Sequence, residues 1–389
     1  MTKSTDSMHT PGRPVVLKDI AARCGVCAWT VSAAMRHDAR VKEATAERIR
    51  AVAAEMGYNP AQQIAARRMV MRQHGLPVVN QVIACIFPLP TVNVHYFNKI
   101  YLGILHELTS QGFALLSLDS YRIVGDGTSA AQVPPIMYRG EIDGLILLPV
   151  RTPYTPLISE LRANQGFGDR PIVSLMDAAP EAVTVMGEEE TGVRQSVEHV
   201  LRLGHRQLAY FMLPTPNARE ARRLDIIQAV LRENGLDPAQ ALQVIEIGED
   251  ILYPEKYYDA ELAQQVLTGS TAALITRFLH SHPQTRAFFC INDICALFLW
   301  QLVEQAGLRV PDDISIIGFD DTDAKPTSTG GNLLSSVRVP LFDIGRKAGR
   351  YLITQITKTP LTTDDLTLTA EYIDRASTAP PHPLHNLPP

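Results

Sequence analysis

The 389-residue sequence predicts an α/β protein that begins with a small all-α domain. Two observations predict this class. Apolar residues recur at helical spacing in three short segments between residues 17 and 56. Beyond residue 81, short apolar runs alternate with helical segments, as in doubly wound parallel sheets. The predicted strands lie at 82–87, 114–118, 145–150, 172–176, 208–213, 244–247, 287–291 and 314–319, with helices such as 97–111, 190–203, 222–234, 260–269 and 294–306 between them. These strands over about 300 residues predict two similar lobes.

The composition bounds the kind of protein. A hydrophobic fraction of 46% and a charged fraction of 20% are typical of a globular protein with a large core. We expect no membrane span, because no apolar run reaches about 18 residues. Residues 1–13 are polar and lack the apolar region of a secretory signal, so we interpret them as a disordered arm. Five scattered cysteines fit reduced thiols in the cytoplasm.

Charge is divided unevenly along the chain. Residues 1–72 contain 12 Lys or Arg and 6 Asp or Glu, while the whole chain has a net charge of −5. The first segment is therefore basic and the remainder acidic. This division is expected of a DNA-binding module attached to a sensor of a neutral ligand.

The three N-terminal helical segments are closely spaced. Leu17–Cys24 presents one apolar face, Gly25 interrupts it, a second helix follows over residues 27–35, and a third covers Glu43–Met56. A helix, a short turn with glycine and a second helix form a helix-turn-helix, whose second helix enters the DNA major groove.

The second helix supplies the candidate DNA contacts. We expect Ala28, Trp29, Ser32 and Ala33 on its exposed face, although a core position is the alternative for Trp29. Ala28 offers only a methyl group and Ala33 cannot form a hydrogen bond, so this helix has few base-reading groups. Thr30 and Ser32 are suited to phosphate contacts. The candidates are Ala28, Trp29, Thr30, Ser32, Ala33 and, at the far end, Arg36.

The predicted helix starts lack good N-caps. Val16 and Lys42 have no side-chain acceptor, and Cys27 accepts hydrogen bonds weakly. Each missing cap costs about 0.5–2 kcal/mol, so we predict a headpiece of low intrinsic stability. Cys24 and Cys27 form a CxxC, but a zinc site usually needs a second such pair. We interpret both as structural thiols, with redox sensing as the alternative.

The N-terminal segment resembles the LacI/GalR family of transcription regulators, and further matches continue to residue 378. In the headpiece the matching residues are Leu17, Asp19, Ile20, Ala21, Gly25, Val26, Thr30, Val31, Ser32, Val41, Thr45, Arg48, Ile49, Gly57, Tyr58 and Pro60. In the rest of the chain the matching stretches are 139–147, 203–209, 289–293, 310–321, 337–340 and 375–378.

The resemblance implies further DNA contacts. Ala28, Trp29 and Ala33 occupy the positions that usually choose the operator, and Tyr58 belongs to the matched DNA-binding segment. Residues 61–75 match the hinge helix, which in the family inserts an apolar wedge into the minor groove. The candidate contacts there are Ile64, Arg67 and Arg68. Arg67 stands where the wedge is usually Leu, so electrostatic reading of a narrow groove is one interpretation and a solvated basic linker is another.

For the larger part of the chain, the resemblance implies two lobes like those of a periplasmic sugar-binding protein, with the effector between them. The implied effector contacts are Phe97, Arg222, Asn292 and Asp320. The competing interpretations are a core aromatic for Phe97, a surface charge for Arg222, a helix N-cap for Asn292 and an interlobe bond for Asp320. The run of glutamates at 188–190 is interpreted as a solvated helix start.

Together these observations predict a sequence-specific DNA-binding regulator controlled by a small-molecule effector of the sugar or sugar-derivative class. A cytoplasmic homodimer or larger oligomer is expected, with no membrane association, cofactor or metal. Repression is the commoner family outcome, but the sequence does not give the sign. An enzyme is disfavoured, because GxxxxGK[ST], GxSxG and GxGxxG after the first strand are absent. An exported binding protein is disfavoured for want of a signal peptide. The predicted divisions are an arm at 1–13, a helix-turn-helix domain at 14–60, a hinge at 61–75, a two-lobed effector and dimerisation domain at 76–378 and a Pro-rich tail at 379–389.

Overall fold

The structure is a computed structural model that describes residues 15–35, 38, 40–58, 79–87, 94–119, 133–149, 154–214, 216–246, 275–359 and 366–382. The chain divides into two units, Met1–Asn80 and Gln81–Pro389. No helix within the described ranges is both long and apolar enough to cross a membrane.

The first unit contains the predicted three helices, α1 (Leu17–Cys24), α2 (Ala28–Met35) and α3 (Glu43–Glu55). Gly25 ends α1 in the left-handed conformation, with φ of 65°, which glycine adopts without steric cost. Each helix supplies a side chain with no exposed surface to a common core, namely Ile20, Val31 and Ile49. The packing of all three helices therefore depends on one small hydrophobic cluster.

The starts of α1 and α3 have no side-chain cap, as the sequence predicts. The backbone N–H of Val16 instead donates to the Asp19 carboxylate at 2.9 Å. Cys27 precedes α2, and its sulfur lies 3.2 Å from the Thr30 hydroxyl. Hydrogen bonds from Thr30 lower the pKa of the exposed Cys27 thiol. The sulfur therefore acts as a weak cap at this helix.

Substituting Asp for Lys42 should stabilise the headpiece by about 0.5–2 kcal/mol, because a carboxylate at this N-cap accepts from free backbone N–H groups. Native-state hydrogen exchange of the α3 amides in the full chain measures the change. Lys42→Ala removes the same positive charge without adding an acceptor, so it should give little protection. Equal protection in both variants would contradict the capping argument.

The second unit contains two sheets. The strands are β1 (Val82–Phe87), β2 (Ala114–Asp119), β3 (Gly144–Leu147), β4 (Ile172–Leu175), β5 (Val183–Glu188), β6 (Leu208–Met212), β7 (Leu242–Glu246), β8 (Ala287–Cys290), β9 (Ser315–Asp320), β10 (Ser335–Arg338), β11 (Thr367–Thr369) and β12 (Glu371–Ile373). The longer helices are α4 (Val94–Ser110), α5 (Thr155–Ala163), α6 (Glu190–Arg202), α7 (Ala218–Glu233), α8 (Asp293–Gln305) and α9 (Leu341–Thr357).

Each sheet forms the centre of one lobe. The first has the strand order β11-β5-β4-β3-β1-β2, and the second has β12-β10-β9-β8-β6-β7. All described pairings are parallel except that of β10 with β12. The chain passes between the lobes after β5, after β10 and between β11 and β12. The predicted α/β class with two lobes is confirmed.

The element predictions were accurate for buried strands and less so elsewhere. All eight predicted strands are present. The sequence interpretation omitted β5, β10, β11, β12, α5 and α9. A helix predicted over residues 260–269 lies outside the described residues. The predicted tail from residue 379 begins in contact with the second lobe, where the Ala379 N–H donates to Ser315 Oγ at 3.0 Å.

Helices α4 and α9 cross in the first lobe with their backbones in close contact. A Cβ at Gly345 would lie 2.1 Å from the Ile100 carbonyl oxygen. One at Gly103 would lie 2.0 Å from the Phe342 carbonyl oxygen. Both obstacles are backbone atoms and cannot rotate away. The crossing therefore requires glycine at both positions.

Gly345→Ala should destabilise the first lobe by about 1–3 kcal/mol, because the two helix backbones must separate to admit the methyl group. Gly349→Ala is a matched control on the same helix, since its nearest obstacle is the Glu107 side chain at 3.3 Å. Urea unfolding followed by circular dichroism compares the two variants. A Gly345→Ala protein as stable as Gly349→Ala would show that the crossing tolerates a side chain.

Candidate functional site

Two predicted effector contacts lie where neighbouring strands of the second sheet end. Asn292 follows β8, and its side-chain oxygen accepts the Cys295 N–H at 2.9 Å, so this residue caps α8. Asp320 ends β9 and is 5% exposed. Asp320 and Asp321 have φ values of 88° and 53°, which are unusual for consecutive non-glycine residues. Such backbone strain is concentrated at functional sites.

Four charged side chains surround the end of β9, and we call Asp177, Glu189, Arg219 and Arg223 the interlobe ion cluster. Glu189 and Arg223 are buried, whereas Arg219 and Asp177 are 21% and 41% exposed. Arg223 donates to both Glu189 carboxylate oxygens at 2.7 and 3.0 Å and to the Ile291 carbonyl at 2.9 Å. Arg219 donates to Asp177 at 2.9 Å and lies 3.7 Å from Glu189. One carboxylate, that of Glu189, thus joins two arginines.

The interlobe ion cluster connects the two lobes. Asp177 follows β4 of the first lobe, whereas Arg219 and Arg223 lie on α7 of the second. Glu189 lies in the segment that passes between them. Because salt bridges between separate bodies depend on their relative position, any change in the angle between the lobes must alter the Asp177–Arg219 contact.

A second set of contacts joins the lobes at α4. Lys99 Nζ donates to the Asp321 carbonyl oxygen at 2.6 Å, and His95 Nδ1 lies 2.5 Å from an Asp323 carboxylate oxygen. Both partners lie in the loop after β9. The end of the strand that carries Asp320 is therefore held by the first lobe as well as by its own sheet.

The cluster changes the ionisation of its carboxylates in opposite directions. Burial opposes ionisation of Glu189, but the guanidinium groups of Arg223 and Arg219 outweigh it and lower its pKa. For Asp320, burial dominates over the attraction of Arg223 and raises the pKa to about 7. Near neutral pH the site therefore contains one firmly ionised carboxylate and one that titrates.

Arg223 also covers an aromatic ring. Its guanidinium carbon lies 3.4 Å from the centre of the Phe319 ring. Phe319 directly precedes Asp320 in β9, so the same arginine approaches both residues. The stacked geometry is a cation–π contact and adds to the restraint that Glu189 places on Arg223.

The structure corrects two sequence predictions at this site. Arg222 does not enter the cluster, because its side chain is 70% exposed and lies 3.5 Å from Glu190. Arg219 and Arg223, four residues apart on one helical face, point inward instead. The predicted solvated run at 188–190 is wrong for Glu189, whose side chain is only 9% exposed.

The aromatic side chain beside the cluster is Tyr96, which the sequence interpretation missed. Tyr96 is buried, and its hydroxyl has Arg219, Asp320, Glu189 and Arg223 among its charged neighbours. Burial raises its pKa. Phe97 is half-buried and packs against Tyr96 edge to face, with ring centres 5.2 Å apart. Phe97 thus supports the aromatic that approaches the charges.

The predicted DNA contacts in the headpiece differ in how exposed their side chains are. Trp29 is 53% exposed, whereas Ala28, Thr30 and Ser32 are half-buried. The prediction of an exposed Ala33 is wrong, because its side chain is fully buried in the headpiece core. Tyr58 is also buried in that core, and burial raises its pKa. The remaining predicted contacts lie outside the described residues: Arg36, Ile64, Arg67 and Arg68.

The structure has a helix-turn-helix domain followed by two α/β lobes with charged groups between them. This combination defines a class of protein, the DNA-binding regulators built on a binding-protein scaffold. Comparison with protein families agrees with this class. Residues 16–61 match bacterial regulatory proteins of the lacI family, and residues 197–378 match the periplasmic binding protein-like domain. The chain thus combines a lacI-family DNA-binding domain with a periplasmic binding protein-like domain, as LacI-family transcription regulators do.

Curated relatives match along nearly the whole chain. The HTH-type transcriptional repressor CytR of Escherichia coli (strain K12) is 26% identical over 369 residues, covering 93% of this chain and 96% of the relative. The ribose operon repressor of the same strain is 25% identical over 366 residues, covering 93% and 99% respectively.

Solved structures show the same fold. The lac repressor dimer bound to operator and the anti-inducer ONPF aligns with a TM-score of 0.58 and 20% identity, covering 94% of this chain and 100% of that chain. A LacI family regulator from Enterococcus faecium with bound ribose aligns with a TM-score of 0.55 and 21% identity, covering 77% and 99%.

Proposed function

We propose that this regulator acts in the cytoplasm as a homodimeric repressor that binds an operator through its headpieces and responds to a sugar or sugar derivative between the lobes. In this proposal residues 14–60 read DNA, residues 61–75 form the hinge and residues 76–378 bind effector and dimerise. Trp29, Thr30 and Ser32 face DNA, with Arg36, Ile64, Arg67 and Arg68 as further contacts, while Tyr58 supports the headpiece core. Asn292 and Asp320 bind the effector.

The observation that carries the proposal is the interlobe ion cluster. Its salt bridges cross from one lobe to the other, so their geometry depends on the angle between the lobes. A ligand that contacts Asp320 or Arg219 gains different free energy in the open and closed arrangements. Such a difference in affinity is what allows a ligand to shift a conformational equilibrium.

The chemistry of the cluster favours a neutral, hydroxyl-rich ligand. Both arginines already have carboxylate partners, so an anionic ligand would have to displace Asp177 or Glu189. Asp320, when ionised, accepts hydrogen bonds from hydroxyl groups. A bound ribose in one regulator of the same fold agrees with this chemistry. Relatives named as repressors support the proposed direction of regulation.

The test is a binding assay with the DNA upstream of the gene. Fluorescence anisotropy with the full chain should give nanomolar affinity for one site, and the affinity should fall steeply as salt increases. A panel of pentoses, hexoses, disaccharides and nucleosides is then added. One of them should change the affinity at least fivefold, since allosteric coupling of about 1–3 kcal/mol is typical.

The controls separate the alternatives. Trp29→Ala should weaken binding to the specific site while leaving sugar binding intact in calorimetry. An exported binding protein would bind sugar and show no specific DNA shift. An enzyme would convert one of the ligands, which chromatography of the reaction mixture detects. No specific, salt-sensitive binding to the upstream DNA would contradict the proposal.

A further inference from the structure

The headpiece carries an exposed cluster formed by Trp29, which is among the proposed operator contacts, and by Asp38 and Arg40, which are not. The Arg40 guanidinium carbon lies 5.2 Å from the centre of the Trp29 ring. The same guanidinium donates from Nε to both Asp38 carboxylate oxygens at 3.0 and 3.2 Å and from Nη2 to one of them at 2.6 Å. The Arg40 guanidinium is thus held by Trp29 on one face and by Asp38 along one edge.

Asp38, which orients Arg40, is itself held in place by a backbone hydrogen bond. The Asp38 N–H donates to the Ala33 carbonyl at 3.0 Å, which ties the residue to the end of α2. The Arg40 N–H donates to the Asp38 carboxylate at 3.0 Å. The Asp38 side chain is 18% exposed, whereas that of Arg40 is 70% exposed. An exposed arginine is therefore oriented by a shielded carboxylate.

Stability alone does not explain the cluster. An ion pair and a cation–π contact at an exposed site each contribute little to stability, because water screens both. Trp29 also contributes little to the small headpiece core, because 53% of its surface remains exposed. The clearer consequence is that a flexible cation is held in one plane beside the first turn of α2.

The free edge of Arg40 suits a base. Arginine has five N–H donors in a planar fork, and Asp38 occupies the Nε side. Nη2 uses one of its two hydrogens for Asp38, so each Nη atom has a hydrogen at the opposite end of the fork that is not hydrogen-bonded within the described residues. Such a fork pairs with the N7 and O6 acceptors of guanine in the major groove.

The recognition helix lacks such a group. Helix α2 contains no charged residue in its first or last turn, and Ala33 is buried. A base-reading arginine from the loop after α2 would replace what the helix does not supply. Trp29 on α2 defines the plane in which that arginine lies.

We propose that Trp29, Asp38 and Arg40 form one base-reading unit in which Arg40 contacts a guanine of each operator half-site. The inference rests on DNA binding by the headpiece. Arg40 is a specificity-determining residue in this unit, while Trp29 and Asp38 orient it.

The experiment begins with selection of bound sequences from random double-stranded DNA by the full-length protein, which yields its preferred site. Selection is repeated with Arg40→Lys, which keeps the charge but lacks the fork. We expect loss of preference at one G·C pair per half-site and a fall in affinity for the wild-type site of tenfold or more. The salt dependence of binding should not change, because the charge is retained.

Two further variants test the unit and its control. Arg23→Lys alters another exposed headpiece arginine, paired with Glu55 at 3.6 Å, and should leave the selected sequence unchanged. Trp29→Ala combined with Arg40→Lys should weaken binding less than the product of the single effects, because the second change removes a contact already lost. Circular dichroism confirms that the variants fold.

The outcomes separate this inference from the proposed function. No selected sequence for the wild-type protein would contradict DNA reading by the headpiece as a whole. A selected sequence that Arg40→Lys leaves unchanged, with multiplicative effects of Trp29→Ala and Arg40→Lys, would overturn the base-reading unit alone and identify Arg40 as a phosphate contact.

Discussion

Glu189→Ala is expected to lower the free energy of unfolding of the two-lobed unit by about 3–5 kcal/mol, the cost of leaving a buried charge without its partner. Arg223 is 5% exposed and donates to both oxygens of this carboxylate. Arg219 loses a neighbour at 3.7 Å in the same step. Arg219 would keep its salt bridge with Asp177, whereas Arg223 would keep only its hydrogen bond to the Ile291 carbonyl. Urea unfolding followed by circular dichroism measures the change.

The adjacent glutamate provides a matched control. Glu190 lies on the same helix start, but its side chain is 46% exposed and its arginine partners are 3.5 and 3.7 Å away. Exposed pairs of this kind contribute about 0–1 kcal/mol, so Glu190→Ala should change stability little. A loss from Glu189→Ala no larger than that from Glu190→Ala would show that water, not Glu189, compensates Arg223.

A double substitution distinguishes charge balance from packing. Replacing Glu189 by Leu and Arg223 by Met removes both members of the pair while retaining much of their volume. Such replacements of buried ion pairs are often neutral or stabilising. The double variant should therefore recover much of the stability that Glu189→Ala loses.

The sequence predicted the fold well wherever burial produces a simple hydrophobic pattern. Strands covered on both faces become continuous apolar runs, and for this reason β1, β4 and β8 could be located from composition alone. Strand β5 is mostly half-buried, and β10 has the sequence SSVR, so neither forms such a run. Their pairing depends on distant segments of the chain and is set by tertiary structure.

Helix α9 shows a different limit. Gly345 and Gly349 lie in its middle and lower the helical propensity of the segment. The structure gives the reason for the first glycine, since any side chain there would meet the backbone of α4. A residue that weakens the local prediction is thus required by a contact 245 residues away in sequence, between Gly345 and Ile100.

The candidate site likewise contains residues that the sequence predicts and residues that only the tertiary structure reveals. Asp320 and Asn292 could be predicted because they end apolar strands. Arg223 could have been preferred to Arg222 from the helical period, since it shares a face with buried Ile227 and Val230. Glu189 could not, because three consecutive glutamates indicate a solvated segment and only the lobe geometry buries the middle one.

The second large effect concerns Asp320, whose pKa burial raises to about 7. A carboxyl group with a raised pKa binds its proton more tightly in the folded state than in the unfolded state. Its contribution to stability is therefore complete below about pH 4 and is lost as pH rises through about 7. Asp320→Asn removes this titration and keeps a residue that tolerates the positive φ.

Comparison of the two proteins isolates this group. The stability of Asp320→Asn relative to the wild-type protein should increase between pH 5 and pH 8 by an amount on the order of 1–3 kcal/mol. Thermal unfolding across this range measures the difference. Groups that do not interact with Asp320, such as His205 with a pKa lowered by burial, occur in both proteins and cancel. Asp293 is an exception, because burial and, to a smaller extent, the charge of Asp320 raise its pKa to about 8, and the contribution of Asp320 is absent from the variant. A difference that does not depend on pH would show that Asp320 stays ionised when the cleft is empty.

Effector binding should change in the opposite direction. Only the ionised carboxylate accepts hydrogen bonds on both oxygens, so effector affinity of the wild-type protein should increase as pH rises from 6 to 8. Asp320→Asn should bind the effector at least tenfold more weakly at pH 8, because one acceptor pair is replaced by an amide, and its affinity should not depend on pH in this range. Calorimetric titration at three pH values measures both effects. Stability and ligand affinity would then oppose each other through one carboxyl group, which is the expected cost of holding a site ready for a ligand that is not yet bound.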